Sequence, residues 1–335
     1  MAARVALASM IPAAAAQSPD VVTLYGRVFV MVESVEATGG AAPLVRRTRV
    51  TDQSSLIGVR GTEDLGGGLT AWFQLETPFL AEQNNTVFAS RNSAVGLRHW
   101  LGTVLLGRWD TPFRLGGAID AFGDLTIAGY GAAMSDRGNY KRREQNVVQY
   151  WTPVWAGFDA RLHYSANEAR TATRNPSVYG ASVTYTVVGQ VFVGYAWEKH
   201  IAVADGVDES GNELGINVRT EHWKIGVLLQ EFDKTNASRQ KSWLGNLVYT
   251  VGKHRLVYQH QFSKGGGATL AALQPRCTVD SIGYQYNFSR RTYFIVLYTR
   301  TDNNDAAACN FGANNLAIAI GQDPRGWATG VRHVF

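Results

Sequence analysis

The chain has 335 residues, of which 45% are hydrophobic and 18% charged, with a net charge of +5 and 35 glycines. Past its first residues it has no apolar run long enough to span a bilayer as a helix, which argues against a helical membrane protein. Its charges are scattered, without a Lys/Arg-rich block, so nucleic-acid binding is not expected.

Residues 1–16 read as a secretory signal peptide. Arg4 supplies a positive start, Val5 to Ala14 a short apolar stretch, and Ala14-Ala15-Ala16 a small-residue site before Gln17. One charge is thin for such a segment, and a disordered alanine-rich tail is the competing reading. Cleavage after Ala16 would remove Arg4 and lower the net charge to +4. The remainder, 17–335, reads as a single domain.

Almost nothing beyond this point has helical periodicity. Short alternating segments recur instead, at 21–35, 55–63, 69–77, 91–99, 103–109, 146–152, 157–166 and 177–187. They continue at 190–199, 212–220, 223–231, 242–251, 253–262, 280–287, 291–300 and 326–335. Tight connections, such as Asp64-Leu65-Gly66-Gly67-Gly68 and Val188-Gly189, alternate with long ones at 36–54, 78–90, 110–145, 167–176, 200–211, 232–241, 263–279 and 301–325. Strict short–long alternation predicts a transmembrane barrel with brief turns on one side and long loops on the other. A soluble sandwich has no reason to keep it through so many hairpins.

The two faces of each segment agree. In 69–77, Leu69, Ala71, Phe73 and Leu75 oppose Thr70, Trp72, Gln74 and Glu76. The polar side carries too many charges to fill a packed core, so it faces water and the apolar side faces lipid. Tyr25, Trp100, Tyr150, Trp155 and Trp327 suit interfacial girdles, and Trp72 is the inward aromatic. The expectation is an all-β fold, a 16-stranded antiparallel transmembrane β-barrel.

Several stretches resemble the Gram-negative general-diffusion porins of the Neisseria and Burkholderia type. Val22-Thr23-Leu24-Tyr25-Gly26 is similar to that family's opening strand, and Gly58-Val59-Arg60-Gly61-Thr62-Glu63-Asp64-Leu65-Gly66-Gly67-Gly68-Leu69 to its most distinctive hairpin. Arg91 to Leu97, Gly102 to Arg108, and the final Gly330-Val331-Arg332-His333-Val334-Phe335 are also similar. The resemblance implies a homotrimer in the outer membrane, in contact with lipid and lipopolysaccharide. It implies passive diffusion of small hydrophilic solutes and ions, no cofactor, no metal and no enzymatic activity. Phe335 is then the signal read by the barrel-assembly machinery.

In this family the third long loop, here 110–145, narrows the pore. It offers Asp110, Asp120, Asp124, Asp136 and Glu144 against Lys141, Arg142 and Arg143. On the wall, alternation turns Arg27, Arg60 and Arg98 inward, and Arg91 and Arg143 match positions where the family places pore arginines. Arg108 matches the family's Leu-Gly-Arg, yet parity puts it beside Val104 and Leu106. Acids facing an arginine wall would set up a transverse field, with a weak preference for anions. Cys277 and Cys309 are expected in the seventh and eighth long loops. Either a disulfide staples the two loops or both remain free thiols.

Alternatives on the same barrel are a substrate-specific channel or an adhesin. An outer-membrane enzyme is a weaker reading, because His99, His163, His222 and His260 come with no paired-histidine or nucleophile motif.

Overall fold

The computed structural model describes residues 21–40, 42–79, 87–123, 126–134, 140, 143–166, 168, 170–269 and 271–335. The strands are β1 (Val21–Gly39), β2 (Leu44–Asp52), β3 (Leu56–Gly66), β4 (Leu69–Pro78), β5 (Ser93–His99) and β6 (Gly102–Asp110). After the long loop come β7 (Arg143–Trp151), β8 (Phe158–Ser165), β9 (Ser177–Val187), β10 (Val191–Ala204), β11 (Val207–Arg219) and β12 (Trp223–Lys234). The last five are β13 (Gln240–Val251), β14 (His254–Lys264), β15 (Arg276–Asn287), β16 (Thr292–Asn303) and β17 (Gln322–Val334).

All of them join one antiparallel sheet in which the strands from β3 to β17 pair in chain order, and β1 with β17 closes the ring. The first half of β1 pairs with β3 and the second half with β2, so β2 and β3 lie end to end as one stave. The barrel therefore has sixteen staves, as alternation predicts.

Two connections expected as long loops are mostly strand. The 36–54 region is β1 running to Gly39 and β2 starting at Leu44, and Asp205-Gly206 alone joins β10 to β11. Directly opposed charges hold the first extension together. Arg49 pairs with Glu33 at 2.7 Å, and Glu36 accepts both Arg46 at 2.6 Å and Arg325 at 2.7 Å. Such cross-strand pairs let a hairpin continue past the apolar band, where hydrophobic alternation gives no signal.

Ile57, Leu75, Val95, Leu106 and Leu229 are exposed, whereas Glu33, Glu198, Gln259 and Gln261 are 0% exposed. That inverts the soluble pattern and suits a lipid-facing exterior. The glycines at 66–68 take φ of +81°, +61° and +80°, which a tight turn needs and Cβ would strain. At the seam, Gly26 and Phe335 exchange two backbone hydrogen bonds of 3.0 Å. A Cβ on Gly26 would lie 2.5 Å from the Phe335 ring, so the glycine makes room for the terminal aromatic.

Cys277 and Cys309 form a disulfide, with Cα atoms 6.3 Å apart. Cys277 is the second residue of β15, and Cys309 lies in the loop before β17. Both are buried against Ala132 and Ala133 of the long loop and against Val279 and Ala307. In the chain-entropy picture a cross-link over this span is worth about 3.7 kcal/mol. Cys309→Ser should lower the heat-modification temperature on gels by several degrees and leave strand content unchanged by circular dichroism.

Candidate functional site: an arginine-rich pore constriction

The long loop runs inside the barrel. Its short helix α1 (Gly116–Ile119) packs on β11 and β12, and inward polar side chains of four strands hold the loop backbone. Glu213 accepts from Leu115 N at 2.7 Å, and Asn246 donates to Ile119 O at 2.7 Å. Lys224 donates to the carbonyls of Ala118 and Ile119, both at 3.2 Å. Arg255 donates to Ala121 O at 2.6 Å. Gln259 bridges Ala121 N and Ala128 O, and Gln261 bridges Ala133 N and Gly129 O. Every one of these side chains lies on the inward parity of its strand. Reading parity through β11–β14 picks them out, although sequence reasoning concentrated on the arginines of the other wall.

A buried helix terminus or loop backbone must find partners, and the wall supplies them. Apolar packing completes the attachment: Ile119, Leu115 and Tyr130 bury against Leu228, Leu244 and Ala196. Tyr140, from the same loop, packs with its ring tilted against Phe113 and Phe232. Burial, reinforced by the carboxylates of Glu209 and Glu198, pushes its phenol above the ordinary tyrosine range and keeps it neutral.

Opposite this anchored side, the wall of β1–β7 gathers guanidinium groups. The break between β2 and β3 holds Ser54 at φ +62°, where its carbonyl accepts from Arg27 Nε at 2.9 Å and its hydroxyl from Arg91 Nη1 at 2.7 Å. Arg91 also pairs with Glu76 at 3.3 Å, and Glu76 accepts from the Tyr25 hydroxyl at 3.1 Å. Tyr25 is thus turned into the pore, not placed in the lipid girdle. Next to them Asp110 receives Arg114 at 2.8 Å and Arg143 at 3.2 Å. Asn92 ties the group together, accepting from Arg143 Nε at 2.7 Å and donating to Asp110 at 3.0 Å. Among the described residues, four guanidiniums and two carboxylates meet here, all partly open to the lumen. Arg60 and Arg98 lie nearer the short-turn end, and neither has a carboxylate partner among the described residues; Arg60 sits over the Tyr25 ring at 5.1 Å.

The acids are arranged differently from a charged loop facing an arginine wall. Asp110 is in direct contact with the arginines, at the end of β6. The Asp120 carboxylate turns into its own loop, accepting Phe122 N at 3.0 Å and Tyr130 N at 2.9 Å. It is buried and serves the loop's backbone, because a tight loop inside a barrel leaves amides that the wall cannot reach. Glu144 lies opposite Trp109 on β7. Asp124, Asp136, Lys141 and Arg142 fall outside the described residues. Arg108 lies opposite Ser93 beside a β-bulge, on the parity of lipid-facing Val104 and Leu106, with no ion pair among the described residues.

A model of the Gram-negative porins matches residues 2–306 of the chain. Outer membrane porin protein 32 of Delftia acidovorans is 26% identical over 99% of both chains. The major outer membrane protein P.IB of Neisseria meningitidis serogroup B is 28% identical over 82% of this chain and 86% of its own. Among solved structures, an anion-selective porin from Comamonas acidovorans superposes with a TM-score of 0.79 at 25% identity, covering 94% of this chain and 100% of its own.

Proposed function

The chain belongs to the Gram-negative porin family and is a passive, water-filled pore of the bacterial outer membrane, not an enzyme; from that premise we propose that its constriction favours anions. The observation that carries this reading is the gathering of Arg27, Arg91, Arg114 and Arg143 around Glu76 and Asp110, four guanidiniums to two carboxylates among the described residues of this cluster. Arg60 and Arg98 add positive charge further along the path. In a water-filled narrowing the low-dielectric wall weakens screening, so an excess of fixed cations raises the local anion concentration. The likeness to an anion-selective porin supports the same sign.

The family's habit supports three further parts of this reading. The chain works as a homotrimer, residues 1–16 direct export and are removed, and Phe335 is recognised during assembly. The paired backbone bonds between Gly26 and Phe335 fit a terminal residue that helps close the barrel.

The test is single-channel recording in a planar bilayer with a salt gradient. The expected result is large ohmic steps in groups of three and a zero-current potential of the sign set by anions. A cation-selective potential would overturn the anion reading, and steps that never group in threes would overturn the trimer.

A further inference from the structure

Three tryptophans line one recess of the pore wall. Trp72 of β4, Trp109 of β6 and Trp151 of β7 all face inward, with ring centroids 5.7 Å (72–109), 6.1 Å (72–151) and 5.7 Å (109–151) apart. Trp72 is buried, while Trp109 and Trp151 remain partly open to the lumen. Gly96 permits the arrangement, since a Cβ there would come within 2.7 Å of the Trp72 indole. The recess holds about 350 Å³ and is also lined by Arg60, Arg98, Gln74 and Thr23. Arg161 lies over the Trp151 ring at 5.2 Å, and in the strand register Arg98, Thr103, Trp151 and Arg161 form one row.

A pore that only passes ions gains nothing from wet indoles, because exposed aromatic surface is costly in water. Three indoles beside Arg60 and Arg98, which have no carboxylate partner among the described residues, offer two different attractions at once. The ring faces and edges take a flat aromatic solute by stacking or edge contact. The guanidiniums take its negative group, and they repel an aromatic cation. The volume sits at the small end of ligand pockets, which suits a single ring bearing one or two carboxylates.

We propose that this recess is a subsite for small aromatic carboxylates, which pause there on their way through the pore. The proposal rests on the anion-favouring reading above and deepens it by naming the solute class. It assigns Trp109 and Trp151 to the ring, and Arg98 and Arg60 to the carboxylate.

The experiment uses the whole protein in a planar bilayer, with benzoate or cyclohexanecarboxylate added to one side. The two anions share charge and ring size, and the saturated ring is no less apolar, so a difference between them reports aromatic contact. Benzoate is expected to interrupt the chloride current with dwell times about five-fold longer than its saturated counterpart. Trp109→Leu combined with Trp151→Leu should remove that ratio, Trp109→Phe with Trp151→Phe should keep it, and Arg98→Gln should shorten both dwells together. Equal dwells in the natural protein would overturn the proposal, as would a ratio that survives the leucine pair. The phenylalanine pair tells loss of contact from loss of fold. The chloride potential recorded before any solute is added reports the anion reading separately, so the two can fail independently.

Discussion

Replacing Arg91 and Arg143 together by glutamine is expected to abolish the anion preference and bring the pore close to non-selective. A unit charge about 5 Å from an ion's path in water is worth about 0.8 kcal/mol before screening. At 0.15 M salt roughly half of that survives. The charge acts with opposite sign on anion and cation, so each arginine changes the permeability ratio by about four-fold, and the pair by more than ten-fold. In 1 M salt the same substitution should move the ratio by less than about two-fold per arginine, because the screening length falls to roughly 3 Å. Zero-current potentials at the two salt concentrations check both statements. A ratio that shifts equally at high and low salt would mean that the arginines act by shape, through Asn92 and Ser54, and not by charge. Glutamine keeps a donor for Ser54 and Asn92, which limits collapse of the network.

The second large effect is expected where the loop is tied down. Gln259→Leu with Gln261→Leu removes four hydrogen bonds to the loop, at Ala121, Ala128, Gly129 and Ala133. Each buried backbone group left without a partner costs about 1–3 kcal/mol. The attachment then falls by several kcal/mol, and leucine offers nothing in return to an amide or a carbonyl. The barrel itself should persist, because none of its ladder bonds is touched. The open-channel current should instead become noisy, with brief closures as the loop leaves the wall and enters the lumen. Quiet traces from the double variant would show that Lys224, Arg255, Asn246 and the packing of Ile119 hold the loop without the glutamines.

Alternation made the barrel legible because lipid outside and water inside impose opposite chemistry on neighbouring residues. That is why Arg60 and Arg98 can be assigned inward from parity alone. Where residue type and parity disagree, the structure follows parity. Tyr25 by type belongs at the lipid interface, but it is two residues from Arg27 and shares its inward face. Trp151 follows the same rule from Gln149, and with Trp109 it joins Trp72 in a group that a type-based reading misses. Strand ends beyond the membrane escaped, because cross-strand ion pairs such as Glu33–Arg49 replace the hydrophobic signal there.

The long loop shows a different limit. Its length announces that it has a task, yet its path depends on carbonyls and amides that are identical in every residue. Asp120 could face the pore or its own backbone, and the choice is made by which amides the wall leaves unsatisfied. At Arg108 the family likeness and parity disagree: the bulge beside it puts its extra residue on β7, so the count along β6 still sets Arg108 with Val104 and Leu106.

The seam between β1 and β17 bears on the order of folding. Every other pairing in the ring joins strands that follow one another along the chain or, for β1 and β3, are separated by β2 alone, so those hairpins can zip locally as each segment becomes available. Arg27 and Val334 are partners in the ladder, yet roughly 300 residues separate them, and closing a loop of that length costs about 5 kcal/mol plus a constant in entropy. Until that closure the growing sheet has two bare edges, open to any other unpaired strand. Completion is therefore all-or-none with respect to the last strand. A chain lacking β17 would keep fifteen correct staves and still be an open sheet, with Gly26 left without the carbonyl and amide of Phe335 to receive it.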